Sequence, residues 1–116
     1  MNAGAFKPKV YVKEGCPFSF KFLLYMAEAG LIDQIELVRL NPADPAYEEA
    51  KTRLSEGLGK AATFPTVELE PGRFMSDSDQ LIELFARQSG RPAEAMPVLA
   101  FYKETIFPQL LQRHAK

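Results

Sequence analysis

Lys9-Val10-Tyr11-Val12-Lys13-Glu14-Gly15-Cys16-Pro17-Phe18-Ser19 is the stretch that decides how the rest of this chain is read. Lys9 to Lys13 is β-branched and aromatic and reads as a short strand after Pro8. Glu14-Gly15 is a turn. A helix-patterned run, Phe18 to Ala29, opens immediately afterwards, and Gly30 closes it. Cys16, the only cysteine, therefore sits at a strand-to-helix junction. The first helical N–H groups have no partner within the helix, and with the helix dipole they favour an anion there. Thiolate is the nucleophilic form of cysteine, so the junction suits a reactive thiol. Pro17 fits the first helical turn, where its missing N–H costs nothing. The local pattern leaves a second fate open, a small buried structural cysteine.

The chain has 116 residues, 47% of them hydrophobic, which is one domain's worth of core. Its net charge of −1 gives no bulk electrostatic argument for nucleic acid or membrane binding. One cysteine excludes an internal disulfide and a cysteine-rich zinc site, and the lone His114 has no metal-ligand company, so no metal is expected. Met1 to Phe6 shows no signal-peptide pattern, and no segment approaches a membrane span. The default expectation is a cytoplasmic protein with a reduced thiol.

Further along, Ile35 to Leu40 reads as a second strand, and Asn41 to Pro45 as a turn leading into a charged surface helix, Ala46 to Glu56. Thr66 to Glu70 reads as a third strand. Pro71-Gly72 turns into a short fourth strand, Arg73 to Met75, which makes a hairpin. Ser76 or Asp77 caps a helix from Ser78 to about Gln88. The order is β-α-β-α-β-β-α. Strands separated by helices predict parallel pairing, with an antiparallel hairpin at the end. The fold class is α/β, with Cys16 at the carboxyl end of the first strand, where open α/β sheets bind ligands.

Three separated features carry a family resemblance. Lys13-Glu14-Gly15-Cys16-Pro17-Phe18 resembles the Lys-x-x-Cys-Pro-aromatic motif of glutaredoxins, and Cys-Pro-Phe-Ser also resembles omega-class and dehydroascorbate-reductase transferases. Thr63-Phe64-Pro65-Thr66-Val67 resembles the segment that holds the cis-proline of the thioredoxin fold. Met75-Ser76-Asp77-Ser78-Asp79 is placed like the acidic-Ser motif of glutathione transferases. Over about Pro8 to Gly90 the chain thus resembles the thioredoxin-like domain shared by glutaredoxins and the N-terminal half of glutathione transferases.

That resemblance implies glutathione as the ligand. Cys16 would be the catalytic thiol. Phe64, before Pro65, would offer its backbone N–H and C=O to the cysteinyl part. Ser78 and the free N–H groups of its helix would take the γ-glutamyl carboxylate, and Asp77 the ammonium. Lys13 would meet the glycyl carboxylate, with Lys60 as an alternative, and Phe18 would wall the site. Each has a plainer reading beside it: helix capping for Asp77 and Ser78, strand entry for Pro65, a solvated surface lysine for Lys13, a helix-to-sheet staple for Phe18.

Two departures from the pattern narrow the chemistry. Ser19 stands where a dithiol glutaredoxin has its second cysteine, so any redox cycle is monothiol. The Cys-Pro-Phe-Ser form also differs from the Cys-Gly-Phe-Ser form of iron–sulfur cluster carriers, which makes cluster binding a lesser reading. The length differs too. In glutathione transferases an all-helical domain follows, and residues 91–116 are expected to form a helical extension of the 1–90 domain. Ala95, Leu99, Tyr102, Ile106 and Leu110 recur at helical spacing and predict one added amphipathic helix, packed on its own domain or at a homodimer interface. Pro108 is expected to kink or end it near Phe107.

The leading expectation is a glutathione-dependent monothiol thiol-disulfide oxidoreductase acting through Cys16 on glutathionylated or disulfide substrates. The alternatives are a minimal glutathione S-transferase that conjugates electrophiles, and a non-catalytic thioredoxin-fold binding module.

Overall fold

The computed structural model describes residues 6–114. Residues 1–5, read above for a targeting pattern, and the side chain of His114 lie outside the described set. Four strands, β1 (Lys9–Lys13), β2 (Glu36–Leu40), β3 (Thr66–Glu70) and β4 (Arg73–Ser76), form one sheet in the order β2-β1-β3-β4. Three helices connect and cover them: α1 (Pro17–Glu28), α2 (Ala46–Leu58) and α3 (Ser78–Ser89). The expected β-α-β-α-β-β-α order is present.

Alternation along β1 explains the layering, because successive side chains point to opposite faces of a sheet. Val10 and Val12 join a core with Phe22, Tyr25 and Met26 of α1 and with Leu81 and Phe85 of α3. Tyr11, between them, joins a smaller core on the other face with Tyr47 and Leu54 of α2 and with Phe64.

The pairing departs from the sequence expectation at one place. β1 and β2 are parallel, as a strand-helix-strand unit requires. β3 is separated from β2 by α2, yet it runs antiparallel to β1. The connection after α2 delivers the chain to the carboxyl half of β1. Thr66 pairs with Tyr11 and Glu68 with Lys9, so β3 runs back along its neighbour. This reversal brings Phe64 and Pro65 to the end of β1 that carries Cys16. β3 and β4 then pair as the expected hairpin.

The burial of α1 is confined to part of its surface. Its fully buried stripe is Phe22, Tyr25, Met26 and Ala29, spaced i, i+3, i+4, i+7. Phe18 and Phe20 remain partly open, and Lys21 is buried instead.

Residues after Arg91 form a 3-10 turn (Ala93–Ala95), α4 (Pro97–Phe101), a π turn (Tyr102–Ile106) and α5 (Phe107–His114). The interruption expected at Pro108 takes the form of the π turn. The Phe107 N–H bonds the Tyr102 carbonyl five residues back, so the register shifts directly before the residue that has no N–H to donate.

This segment runs antiparallel along α1. At one end, the Tyr25 hydroxyl donates to the Arg91 carbonyl (2.7 Å), and the Arg91 guanidinium donates to the Ala29 carbonyl. The Glu28 carboxylate accepts from the Val98 and Leu99 N–H groups (both 2.8 Å), capping α4 from outside. At the other end, Tyr102 is 2% exposed, and its hydroxyl donates to the Pro17 carbonyl at 2.7 Å.

One prediction arises from the second core. A Cβ added at Gly57, inside α2, would lie 2.5 Å from ring carbons of Phe74. Gly57→Ala gains about 1 kcal/mol of helix propensity, but overpacking costs roughly 1–3 kcal/mol. Chemical denaturation is expected to show a net loss of stability. A net gain would mean that the Phe74 ring swings away freely.

Candidate functional site: a thiol at the start of helix α1

Cys16 is the N-cap of α1, with extended backbone. The Ser19 N–H donates to its sulfur at 3.5 Å, and the Cys16 thiol donates to the Phe64 carbonyl at 3.8 Å. The sulfur thus occupies the place where a capping oxygen normally accepts a helix-terminal N–H. The Phe64–Pro65 peptide bond is cis. The Ser19 hydroxyl accepts from the Lys13 N–H at 3.2 Å, which ties the end of β1 to the first turn of α1.

Two clefts lie near this thiol, one lined by its hydrogen-bond partner Phe64 and the other by Cys16 itself. One, of about 360 Å3, lies between the starts of α1 and α3, and Phe18, Lys21, Lys60, Phe64, Asp77 and Ser78 are among its walls. The other, of about 260 Å3, lies towards β2 and is lined by Lys13, Cys16, Ser19, Phe20, Leu37 and Arg39 among others. Of the residues singled out in the sequence, Phe18, Phe64, Asp77 and Ser78 share the first cleft, while Pro65, next to Phe64, is fully buried. Lys13 does not join them; it lines the second cleft beside Cys16. Lys60 does reach the first cleft.

Asp77 is the N-cap of α3 and has a positive φ of 85°. That conformation costs a non-glycine residue roughly 1–3 kcal/mol. One of its carboxylate oxygens accepts from the Asp79 and Gln80 N–H groups at 3.0 and 3.2 Å. The free N–H groups expected at this helix start are therefore largely taken by the helix's own cap, and only Ser78 keeps an uncommitted one.

Two residues of the site were not singled out. Lys21 is 4% exposed, and its ammonium lies 2.8 Å from an oxygen of Asp79. The same ammonium sits over the Phe107 ring at 4.6 Å and near the Phe18 ring at 5.7 Å. A signal for it existed: Lys21 lies one helical turn before Tyr25 on an apolar helix, and a lysine there needs an anionic partner. Tyr102 is the other. Its pKa is raised, first by burial and then by the nearby Cys16 charge. Its ring packs edge-on against Phe20 at 5.0 Å. Sequence spacing marked it only as one of an apolar series. Among the described residues, no group of three His, Cys, Asp or Glu side chains is arranged to hold a metal ion.

A parallel β-α-β unit, an antiparallel hairpin entered through a cis-proline, and a thiol capping the first helix define a thioredoxin-like domain. The family model described as the glutathione S-transferase N-terminal domain matches residues 15–88, and the chain belongs to that family. No curated protein sequence matches it. Among solved structures it is similar to the glutathione transferase Omega 3C of Trametes versicolor, at 19% identity and a TM-score of 0.55. That match covers 73% of this chain and 34% of the transferase. A glutathione S-transferase from the Antarctic clam Laternula elliptica gives 18% identity and a TM-score of 0.57, covering 74% and 36%. Oxidized glutaredoxin 2 from Chlamydomonas reinhardtii gives 19% identity and a TM-score of 0.52, covering 73% and 83%. At these identities the likeness is one of fold. The chain matches about a third of the length of each of the two transferases. No described helix is long and apolar enough to cross a membrane.

Proposed function

We propose that this protein is a glutathione-dependent monothiol thiol-disulfide oxidoreductase with Cys16 as its nucleophile. The observation that carries this reading is the placement of the sulfur. It caps α1, receives the Ser19 N–H, lines one cleft, and lies beside the carbonyl of Phe64, which lines the other. An N–H at the sulfur stabilises a thiolate more than a thiol.

The reaction is two exchanges. The Cys16 thiolate attacks the glutathione sulfur of a mixed disulfide. The S–S bond breaks, the substrate leaves as a thiolate and takes a proton from water, and a Cys16–glutathione disulfide remains. A second glutathione thiolate attacks the glutathione sulfur of that disulfide. Glutathione disulfide leaves and the Cys16 thiolate is restored. Ser19 offers no second thiol, so the external glutathione is obligatory. In this reading Phe64 and Pro65 align the disulfide beside Cys16, Phe18 walls the cleft, and Ser78 and Asp77 face the γ-glutamyl end. Lys13 lies on the far side of the sulfur, near the departing substrate. The test is deglutathionylation of a mixed-disulfide substrate with Cys16→Ser as control. Equal rates in the two proteins would overturn the reading.

A second reading, conjugation of electrophiles to glutathione, is favoured by one observation. The cleft on the β2 side of Cys16 is partly apolar, through Phe20, Leu23 and Leu37. Turnover of a chlorinated aromatic substrate with free glutathione would favour it over disulfide exchange.

A further inference from the structure

Glutathione ends in an α-amino acid head, with a carboxylate and an ammonium on one carbon. A carboxylate entering the cleft beside α3 meets a helix start with one uncommitted N–H, that of Ser78. Asp77 has filled the Asp79 and Gln80 N–H groups with its own carboxylate. The Ser78 N–H is a neutral donor, so a full positive charge for a second carboxylate comes from a side chain. Two cations line this cleft, Lys60 and Lys21. Lys60 is exposed, so water screens it. Lys21 is buried between the Phe18 and Phe107 rings, where water screens its pairing with a ligand far less.

Lys21 also carries its own counterion in a suggestive geometry. One ammonium donor is spent on Asp79 at 2.8 Å, and a lysine has three. The Asp79 side chain is 73% exposed, so its second oxygen is open to a ligand. A cation and an anion held side by side at a cleft wall are the complement of a zwitterion.

We infer that the Lys21–Asp79 pair reads the α-amino acid head of the γ-glutamyl residue, Lys21 taking the carboxylate and Asp79 the ammonium. This rests on the glutathione reading above. It moves the anchor from the helix start, where the resemblance puts it, to an ion pair joining α1 and α3. Hydrogen bonds between charged partners in such a pair are the strong class. The pair also links the helix that carries the thiol to the helix that bears the ligand's head.

The experiment is calorimetric titration of the full chain and its variants with three probes. The probes are glutathione, its analogue with 4-aminobutyrate in place of glutamate (no carboxylate), and its analogue with glutarate in that place (no ammonium). Lys21→Met is expected to weaken glutathione by about 10- to 100-fold, the range for a hydrogen bond to a charged group. It should leave the carboxylate-free analogue unchanged. Lys21→Arg, which keeps the charge, is expected to retain most of the affinity. Asp79→Asn should weaken glutathione and leave the ammonium-free analogue unchanged. Asp79 is exposed, so this second variant carries the test even if Lys21→Met does not fold. Wild-type binding of glutathione with equal losses for all three probes, or with none, would overturn the inference alone. Failure of the wild type to bind glutathione at all would overturn the functional reading and this inference with it.

Discussion

Cys16→Ser is expected to leave a well-folded protein whose thiol transfer falls to the uncatalysed background. The loss follows from the chemistry, because the serine hydroxyl is not ionised near neutral pH and cannot form a disulfide. The structure adds that the fold should not suffer. Cys16 caps α1 through a long contact from the Ser19 N–H to sulfur, 3.5 Å. A serine oxygen is a better acceptor and a preferred N-cap residue. The variant should therefore be as stable as the wild type or up to about 1 kcal/mol more stable. Denaturant midpoints and deglutathionylation rates measured on the same preparations check both halves. A marked loss of stability would show that the sulfur fills a packing role, and its inactivity would then say nothing about nucleophilic attack.

The second large effect concerns Tyr102. Tyr102→Ala is expected to destabilise the protein by roughly 3–5 kcal/mol, the usual cost of deleting a large buried aromatic side chain. The ring contacts Phe20 and Phe107 at 5.0 and 5.5 Å, and the hydroxyl donates to Pro17. Tyr102→Phe removes only the hydroxyl and should cost about 0.5–1.5 kcal/mol, the net value of one hydrogen bond, or up to roughly 3 kcal/mol where a buried acceptor loses its partner.

Alkaline pH separates the two contributions. Burial and the Cys16 charge raise the Tyr102 pKa in the folded protein above the ordinary tyrosine value of about 10. The neutral hydroxyl is thus the form that folding favours. Its contribution is complete below about pH 10 and is lost as pH rises through the folded value. Wild-type stability should fall along an extra limb above pH 10 that Tyr102→Phe lacks. Identical alkaline limbs would mean that the Tyr102 hydroxyl titrates alike in the folded and unfolded protein.

These expectations show which parts of the molecule were written locally. Lys9–Lys13 and Thr66–Glu70 were legible as strands with the boundaries they have, because β-branched and aromatic runs lay between Gly and Pro signals. The cis peptide before Pro65 was legible through the resemblance, and the cap at Asp77 through residue type, as one of the two candidates Ser76 and Asp77. The direction of β3 was not. It depends on where the 59–65 connection returns, and no periodicity records that. Lys21 was passed over because its hydrophobic stem and its distant partner Asp79 are separate facts in the chain. Burial joins them only when α1 and α3 meet. The same holds for the split of Lys13 from Phe64 and Asp77. Lying near Cys16 in sequence does not fix which side of the sulfur a residue lines.

The contacts of Arg91 and Glu28 have a consequence for anyone who would recombine this chain with its relatives. A crossover placed at Gly90 would look natural, since the family match ends at residue 88. It would leave the Tyr25 hydroxyl with only its long 3.5 Å contact to Ser89 and strand the Glu28 carboxylate, because Arg91, Val98 and Leu99 lie in the transferred piece. Pro17, beside the thiol, would lose the Tyr102 hydroxyl in the same cut. A chimaera that keeps α1 must therefore inherit residues 91–102 from the same parent, so the unit of exchange is larger than the motif-bearing domain.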